Sequence, residues 1–271
     1  MNVTLKNYKS GKEAFEGLFC GENDMATVAD APIVFSGFAG RNFVVVASTV
    51  FSFCDSKIVA RRDADIREPK DLRGKRIGTF FGTSNHYFLG LFLTNYGMSI
   101  SDVDMVDLRA CELPALLRQS KVDAASLWEP FAYEAQRLLG IQAVKLPAGN
   151  IMRTTFNLAV RKEYSEQSAG EIEKVLHAIR HANAFIKTHS AEVQEMMAER
   201  FNFSRGYLHD IWKDYHFMLF LDQSLLLGWE DIARWALENE IISSSTIPNY
   251  LRHVDVKGLS AVCPAAVTVI H

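Results

Sequence analysis

In the first part of the chain, apolar residues come in short runs rich in β-branched side chains. Such runs are typical of buried strands. Ser10 and Glu13 form a capping box that predicts a helix over Gly11–Phe19, and Asp30-Ala31-Pro32 predicts a turn. The predicted strands are Val3–Tyr8, Met25–Ala29, Asn42–Thr49 and Ser56–Ala60.

From Asp71 onward, predicted strands and helices alternate, which favours parallel sheets with right-handed crossovers. The order suggests two such sheets, with the chain crossing between them near Ile58–Arg62 and near Arg153–Asn157. The strands are Lys75–Phe81, a segment near Met105, Val122–Leu127, Gln142–Leu146 and Phe156–Val160, and the helices are Tyr87–Tyr96, Leu113–Ser120 and Pro130–Leu139.

From Ser165 the pattern changes to successive helices, the first of which follows a capping box at Ser168 and Glu171. Two further helices are predicted to begin at Ser190 and Ser204. A fourth helix is predicted over Trp229–Asn239. The aromatic-rich segment 212–220 is interpreted as core packing. Residues that repeat at helical spacing in the first of these helices are Ile172, Val175, Leu176, Ile179, Ala182 and Ile186.

A polar turn joins the strand at Lys75–Phe81 to the apolar helix that follows it. The turn is Gly82-Thr83-Ser84-Asn85-His86. The first N–H groups of a helix have no partner inside the helix, and the helix dipole adds partial positive charge there. The turn therefore predicts a site for a carboxylate, sulfonate, phosphate or nitrate. The alternative is that Ser84 is a simple N-cap and the glycine only a turn residue.

A second predicted strand, Val122–Leu127, runs directly into Trp128-Glu129-Pro130. In open α/β sheets ligands bind beyond the carboxyl ends of the strands. This second strand end is expected to bring polar and aromatic groups to the same sheet edge. The polar turn is therefore interpreted as part of a ligand-binding site in preference to a simple N-cap.

Composition narrows the class of protein. The 271 residues are 48% apolar and 23% charged, as in ordinary globular proteins, and the net charge of −3 gives no basic surface for nucleic acid. No apolar run is long enough for a membrane span, and the first residues lack a secretory signal. The chain has four cysteines that lie far apart in the sequence: Cys20, Cys54, Cys111 and Cys263. Free buried thiols are therefore expected, although the sequence also allows a disulfide.

The order of these motifs resembles the extracytoplasmic substrate-binding proteins of ABC importers for nitrate, taurine and aliphatic sulfonates, the NMT1/THI5-like family. The resemblance covers nearly the whole chain. The segments that carry it are Ala26–Pro32, Val45–Thr49, Ile58–Arg61, Asp71–Gly78, Gly82–Leu89, Val122–Pro130 and Ile247–Tyr250.

The resemblance implies an α/β fold of the periplasmic-binding-protein type 2, with two parallel-sheet lobes joined by two hinge segments and a ligand between them. Lobe one would be residues 1–58 plus 155–271, and lobe two residues 59–154. The family's first strand and helix, which precede the segment matching Val3, are expected to be missing here.

Residues of the polar turn, Gly82, Thr83, Ser84, Asn85 and His86, are the preferred ligand contacts. Hydroxyl and N–H groups would bind an oxyanion, and a protonated His86 could donate as well. His86 could equally be a surface histidine.

Elsewhere in the family picture, Asp30 could receive a ligand amine or form an Asx turn with Ala31-Pro32. Ser48 and Thr49 are predicted to end a strand, where they could be polar cleft groups or make ordinary strand-end hydrogen bonds. Trp128 could stack on the ligand or pack at the strand end, and Glu129 is expected to meet an amine, water or the other lobe. Asn157 could reach the cleft.

The predicted function is therefore capture of a small anion or zwitterion for delivery to the membrane subunits of an ABC permease outside the cytoplasm. No enzyme activity, catalytic residue, metal or cofactor is predicted, since no G-x-S-x-G, Walker A or cysteine-rich motif is present. His177, His181 and His189 are interpreted as a solvated helix face. A monomer without nucleic-acid partners is expected. The alternatives are a ligand-sensing receptor domain and a thiamine-pyrimidine-synthase-like enzyme.

Overall fold

The computed structural model describes residues 2–270 and divides into two compact units. Unit 1 comprises residues 1–52, 154–237 and 243–271, and unit 2 comprises residues 53–153 and 238–242. The predicted division between residues 58 and 59 falls inside a strand, Ser56–Arg61, that pairs on both sides with strands of unit 2.

The strands are β1 (Met25–Ala29), β2 (Phe43–Ser52), β3 (Ser56–Arg61), β4 (Arg76–Thr79), β5 (Asp104–Asp107), β6 (Ala124–Trp128), β7 (Ala143–Leu146), β8 (Thr154–Arg161) and β9 (Tyr215–Phe220). The helices are α1 (Gly11–Phe19), α2 (Asp30–Phe38), α3 (Ser84–Asn95), α4 (Leu113–Arg118), α5 (Phe131–Leu139), α6 (Lys162–Gln167), α7 (Ala169–Thr188), α8 (Ser190–Phe201), α9 (Arg205–Trp212), α10 (Gln223–Glu238) and α11 (Lys257–Val262).

The sheet of unit 1 has the strand order β1-β8-β2-β9, and every neighbouring pair is antiparallel. The alternating pattern predicted parallel neighbours. β1 and β2 do run in the same direction, as a crossover through α2 requires, but β8 lies between them and runs the opposite way. β8 follows the whole of residues 53–153, so no local crossover fixes its direction.

The sheet of unit 2 has the order β5-β4-β6-β3-β7. β4 pairs in parallel with β5 and β6, as predicted, whereas β3 is antiparallel to β6 and β7. Gly78 lies opposite Ala125, so β4 and β6 end at the same edge of the sheet. α4 and α5 pack on a core that contains Leu113, Leu117 and Leu127.

Most predicted elements are present, with four differences. Val3–Tyr8 forms no strand; its Lys6 and Tyr8 donate instead to Glu22. Asp30-Ala31-Pro32 is the first turn of α2, a position in which proline is tolerated. The aromatic segment 212–220 contains β9. Of the cysteines, Cys20 is exposed and the other three are half-buried, and all four are free thiols.

In the helices that follow residue 165, the burial of the side chains agrees only in part with the predicted helical spacing. Ile172 and Leu176 of α7 are buried, while the later positions of the stripe are half-exposed or exposed. His177, His181 and His189 are exposed, as predicted. Within residues 2–270, no helix combines the length and apolar character that a membrane crossing requires.

A side-chain ion pair ties the start of β4 to the segment before β6. The carboxylate of Asp123 accepts hydrogen bonds from Arg76 through Nη2 (2.7 Å), Nε (3.1 Å) and the main-chain N–H (3.0 Å). These donors lower the pKa of Asp123, with the side-chain bond from Arg76 as the largest cause.

We therefore expect Asp123→Asn to lower the free energy of unfolding at neutral pH by about 1 kcal/mol, since Arg76 is partly exposed and screened. A carboxyl group with a lowered folded pKa stabilises the fold above its unfolded pKa, about 3.9, and loses that contribution as the pH falls through the lowered value. Urea denaturation should show the difference shrinking below about pH 4. Exposed Asp104→Asn is the control, and a loss independent of pH would contradict this account.

Candidate functional site

The predicted site residues fall into two polar clusters, one in each unit. The α3 cluster of unit 2 consists of Gly82, Thr83, Ser84, Asn85 and His86 with Thr79, Ser56 and Ser126. The Asp30 cluster of unit 1 consists of Asp30, Ser48, Thr49 and Asn157 with Thr155 and Trp229. The structure brings the members of each cluster together.

The turn before α3 is held by internal hydrogen bonds. Gly82 has a φ of +71°, a conformation that favours glycine. The Thr83 hydroxyl donates to the carbonyl of Phe80 (2.6 Å), and Phe81 N–H donates to the carboxylate of Asp107 (2.9 Å). Thr83, not Ser84, is the N-cap, and its side chain makes no capping bond. The predicted N-cap role of Ser84 is therefore wrong, and the hydroxyl of Thr83 serves the turn.

Asn85 is the most informative residue of the α3 cluster. It lies in the first turn of α3 and is 1% exposed. Its side-chain Oδ1 accepts from the Ser56 hydroxyl (2.9 Å), yet its Nδ2 has no hydrogen-bond partner among the described residues. A buried polar group without a partner costs about 1–3 kcal/mol. A donor left in this state at the amino end of a helix favours an anionic ligand.

His86 is fully buried, so the interpretation as a surface histidine is wrong. Its ring stacks on Phe81 with the ring centroids 4.4 Å apart, and its Nδ1 lies 3.5 Å from Gly82 N–H. The ring therefore supports the turn from inside.

Trp128 is the last residue of β6 and Glu129 follows it, and both have neighbours within unit 2. Trp128 packs edge-on against Phe131 (5.9 Å between centroids). Glu129 pairs with Lys57 (2.7 Å) and accepts from Tyr133 N–H (3.1 Å) in the first turn of α5. The amine that Glu129 meets is thus a lysine of the protein.

The Asp30 cluster surrounds a buried carboxylate. Asp30 is 6% exposed and accepts from Thr155 N–H (2.7 Å), the Thr155 hydroxyl, Trp229 Nε1–H (3.0 Å) and Asn157 Nδ2–H (3.3 Å). Burial raises the pKa of Asp30, and the donors from Thr155, Trp229 and Asn157 oppose that rise. Three of these donors meet Oδ1, and Thr155 N–H meets Oδ2.

Ser48 and Asn157 extend the same network across the sheet. They lie opposite each other in β2 and β8, and the Ser48 hydroxyl donates to Asn157 Oδ1 (2.6 Å). The Thr49 hydroxyl donates to the carbonyl of Phe156 (3.1 Å). Each of these residues thus has a hydrogen-bond partner in unit 1. Their predicted role in ligand binding remains a prediction.

Five members of the clusters were not found from the sequence: Thr155, Trp229, Ser56, Ser126 and Thr79. Thr79 is buried at the end of β4, and its hydroxyl has no hydrogen-bond partner among the described residues. Its place at a strand end before the polar turn was a usable signal. The partners of Asp30 lie more than 120 positions away in the chain, and nothing in the local pattern indicates them.

Across residues 2–270, His, Cys, Asp and Glu side chains form no group of three that could hold a metal ion. The α3 cluster gathers amide N–H and hydroxyl groups beside the ring of His86, a set suited to an oxyanion.

The chain is similar in sequence to known binding proteins. An Escherichia coli protein named "putative aliphatic sulfonates-binding protein" is 26% identical to this chain over 198 residues. The match covers 73% of this chain and 61% of the relative. The taurine-binding periplasmic protein of Escherichia coli is 22% identical over 61% of the chain and 51% of the relative. The chain thus spans about three-fifths of the first relative and half of the second.

Solved structures show the same fold. The alkanesulfonate-binding protein SsuA from Xanthomonas axonopodis pv. citri, bound to MOPS, superimposes with a TM-score of 0.78 at 19% identity, covering 92% of this chain and 86% of that one. A Candida albicans protein with the generic periplasmic binding protein fold gives 0.69 at 16% identity, covering 91% and 84%. The desulfurization enzyme DSZB gives 0.63 at 17% identity, covering 90% and 86%.

The fold is therefore the two-unit α/β fold of the periplasmic binding proteins. The family model described as NMT1/THI5 like matches residues 1–193, and the chain belongs to that family.

The saturated environment of Asp30 gives a test within unit 1. In Asp30→Asn, the amide NH2 takes the place of one carboxylate oxygen. In one orientation it faces Thr155 N–H, and in the other it faces Trp229 Nε1–H; each of these groups can only donate. Each unpaired buried donor costs about 1–3 kcal/mol, so urea denaturation should show a loss of about that size. Exposed Asp210→Asn is the matched control. Equal stability of Asp30→Asn and wild type would contradict the network described here.

Proposed function

We propose that the protein binds a small anion or zwitterion, such as a sulfonate, taurine or nitrate, at the amino end of α3. The observation that carries this proposal is the buried amide of Asn85 at the amino terminus of α3, whose Nδ2 has no hydrogen-bond partner within residues 2–270. A bound oxyanion would accept from it and from the first-turn N–H groups. Similarity to proteins named as aliphatic sulfonates-binding and taurine-binding supports the same class of ligand.

The proposed role is solute capture outside the cytoplasm and delivery to the membrane subunits of an ABC permease. Its support is the similarity to binding proteins whose names specify aliphatic sulfonates or taurine. No enzymatic step is proposed. Binding between the two lobes remains a prediction of the family resemblance.

Binding is tested by calorimetric titration with methanesulfonate, taurine, nitrate and bicarbonate. We expect Asn85→Ala to weaken the binding of the preferred anion about tenfold, because one hydrogen bond to a charged group is worth about 1.5–3 kcal/mol. Asn85→Asp should abolish binding, since a carboxylate would then face the anion.

Asn183→Ala is the matched control for these variants. The Nδ2 of Asn183 is also buried without a partner, but it lies within α7 of unit 1 rather than at a helix amino end. Its loss should leave the affinity unchanged. Unaltered affinity in both Asn85 variants would remove the α3 cluster from the binding site.

A further inference from the structure

Two buried serines hold Asn85 by both of its oxygen atoms. The Ser126 hydroxyl donates to the main-chain carbonyl of Asn85, and the Ser56 hydroxyl donates to its side-chain Oδ1, each at 2.9 Å. Ser126 is 1% exposed and Ser56 is 8% exposed. They come from β6 and β3, which are neighbours in the sheet of unit 2. The start of α3 is thus tied to two adjacent strands.

The bond from Ser56 bears on the polarity of the Asn85 amide. An amide side chain can turn over and exchange its oxygen and nitrogen. In the structure the oxygen accepts from the Ser56 hydroxyl, which leaves the NH2 group to donate, although a hydroxyl could also accept from a reversed amide. In the reversed orientation the oxygen would take that place and repel an anion.

A hydroxyl donor suits this position because hydrogen bonds in series strengthen one another. The series would run from the Ser56 O–H to Asn85 Oδ1, and from Asn85 Nδ2–H to the anion. Without the hydroxyl, Oδ1 would be left unpaired and buried whenever the NH2 faces the ligand. The bond from Ser126 fixes the backbone of the same residue over β6.

We propose that Ser56 and Ser126 are positioning residues of the anion site, which hold the Asn85 side chain and backbone in place and pair its oxygen atoms while its NH2 group is left for the ligand. This inference rests on the proposed function. A purely structural role for the two hydroxyls would change stability but would not couple specifically to Asn85 in ligand binding.

The test is a double-mutant cycle of Ser56→Ala with Asn85→Ala, measured by calorimetry with the anion that binds the wild type most tightly. We expect Ser56→Ala to weaken binding about fivefold to tenfold in the wild-type background and less than about twofold in the Asn85→Ala background. Ser56→Thr retains the hydroxyl and should restore affinity to within about twofold of the wild type. Ser126→Ala should also bind more weakly.

Ser165→Ala is the control for loss of a buried serine hydrogen bond. Ser165 is 7% exposed and donates to Asp255 in unit 1 (2.6 Å), so its variant should lose stability without losing affinity. If Ser56→Ala does not fold, Ser56→Cys keeps the volume with a weaker donor and enters the same cycle. The side-chain NH2 resonances of Asn85 provide a second readout and should shift on ligand addition in the wild type.

The outcomes separate the two proposals. Equal losses from Ser56→Ala in both backgrounds, or an equal loss in Ser165→Ala, would overturn the positioning role while leaving anion binding intact. Binding that is insensitive to Asn85→Ala would overturn the proposed site and this inference with it. Failure of the wild type to bind any of the anions would overturn the proposed function as well.

Discussion

The buried carboxylate of Asp30 is the constraint on which unit 1 depends. Moving a carboxylate out of water is costly unless hydrogen bonds replace its hydration. The fold supplies them from β8 through Thr155 and Asn157 and from α10 through Trp229. α2, β8 and α10 are therefore fixed to one another by a requirement of charge solvation and not by apolar packing alone. The antiparallel place of β8 between β1 and β2 is what brings these donors to Asp30.

Asn85 shows the opposite arrangement in unit 2. Both of its oxygen atoms are satisfied by serines, while its NH2 group is not. A saturated polar cluster stabilises a fold, and a cluster with one unsatisfied donor retains capacity for a ligand. Two predicted site residues, Asp30 and Asn85, are thus both buried and polar, but only Asn85 has a donor group without a partner among the described residues.

Much of the fold could be predicted from the sequence because its signals are local. The capping serine Ser10, the β-branched run of β2 and the glycine at the turn before α3 each specify structure within a few residues. The polar turn before α3 was predictable for the same reason. α2 was missed because Asp-Ala-Pro is equally compatible with a turn and with the first turn of a helix.

The rest depends on contacts between distant positions. Residues 53–153 of unit 2 separate β8 from β1 and β2 in the sequence. No local pattern therefore indicates the partners of Asp30 or the direction of β8. The pairing of Glu129 with Lys57 likewise joins β3 to the end of β6, and no spacing in the sequence indicates it.

That ion pair also bears on the chemistry of the α3 cluster. Lys57 is committed to Glu129 and to the carbonyl of Cys54 (2.8 Å), so its charge is balanced within unit 2. The polar groups that the structure gathers at the amino end of α3 are amide N–H and hydroxyl groups. Recognition by such neutral donors depends on their orientation, because a dipole turned the wrong way repels the anion that it would otherwise bind. The hydrogen bonds that orient Asn85 therefore matter to the proposed site as much as the amide itself.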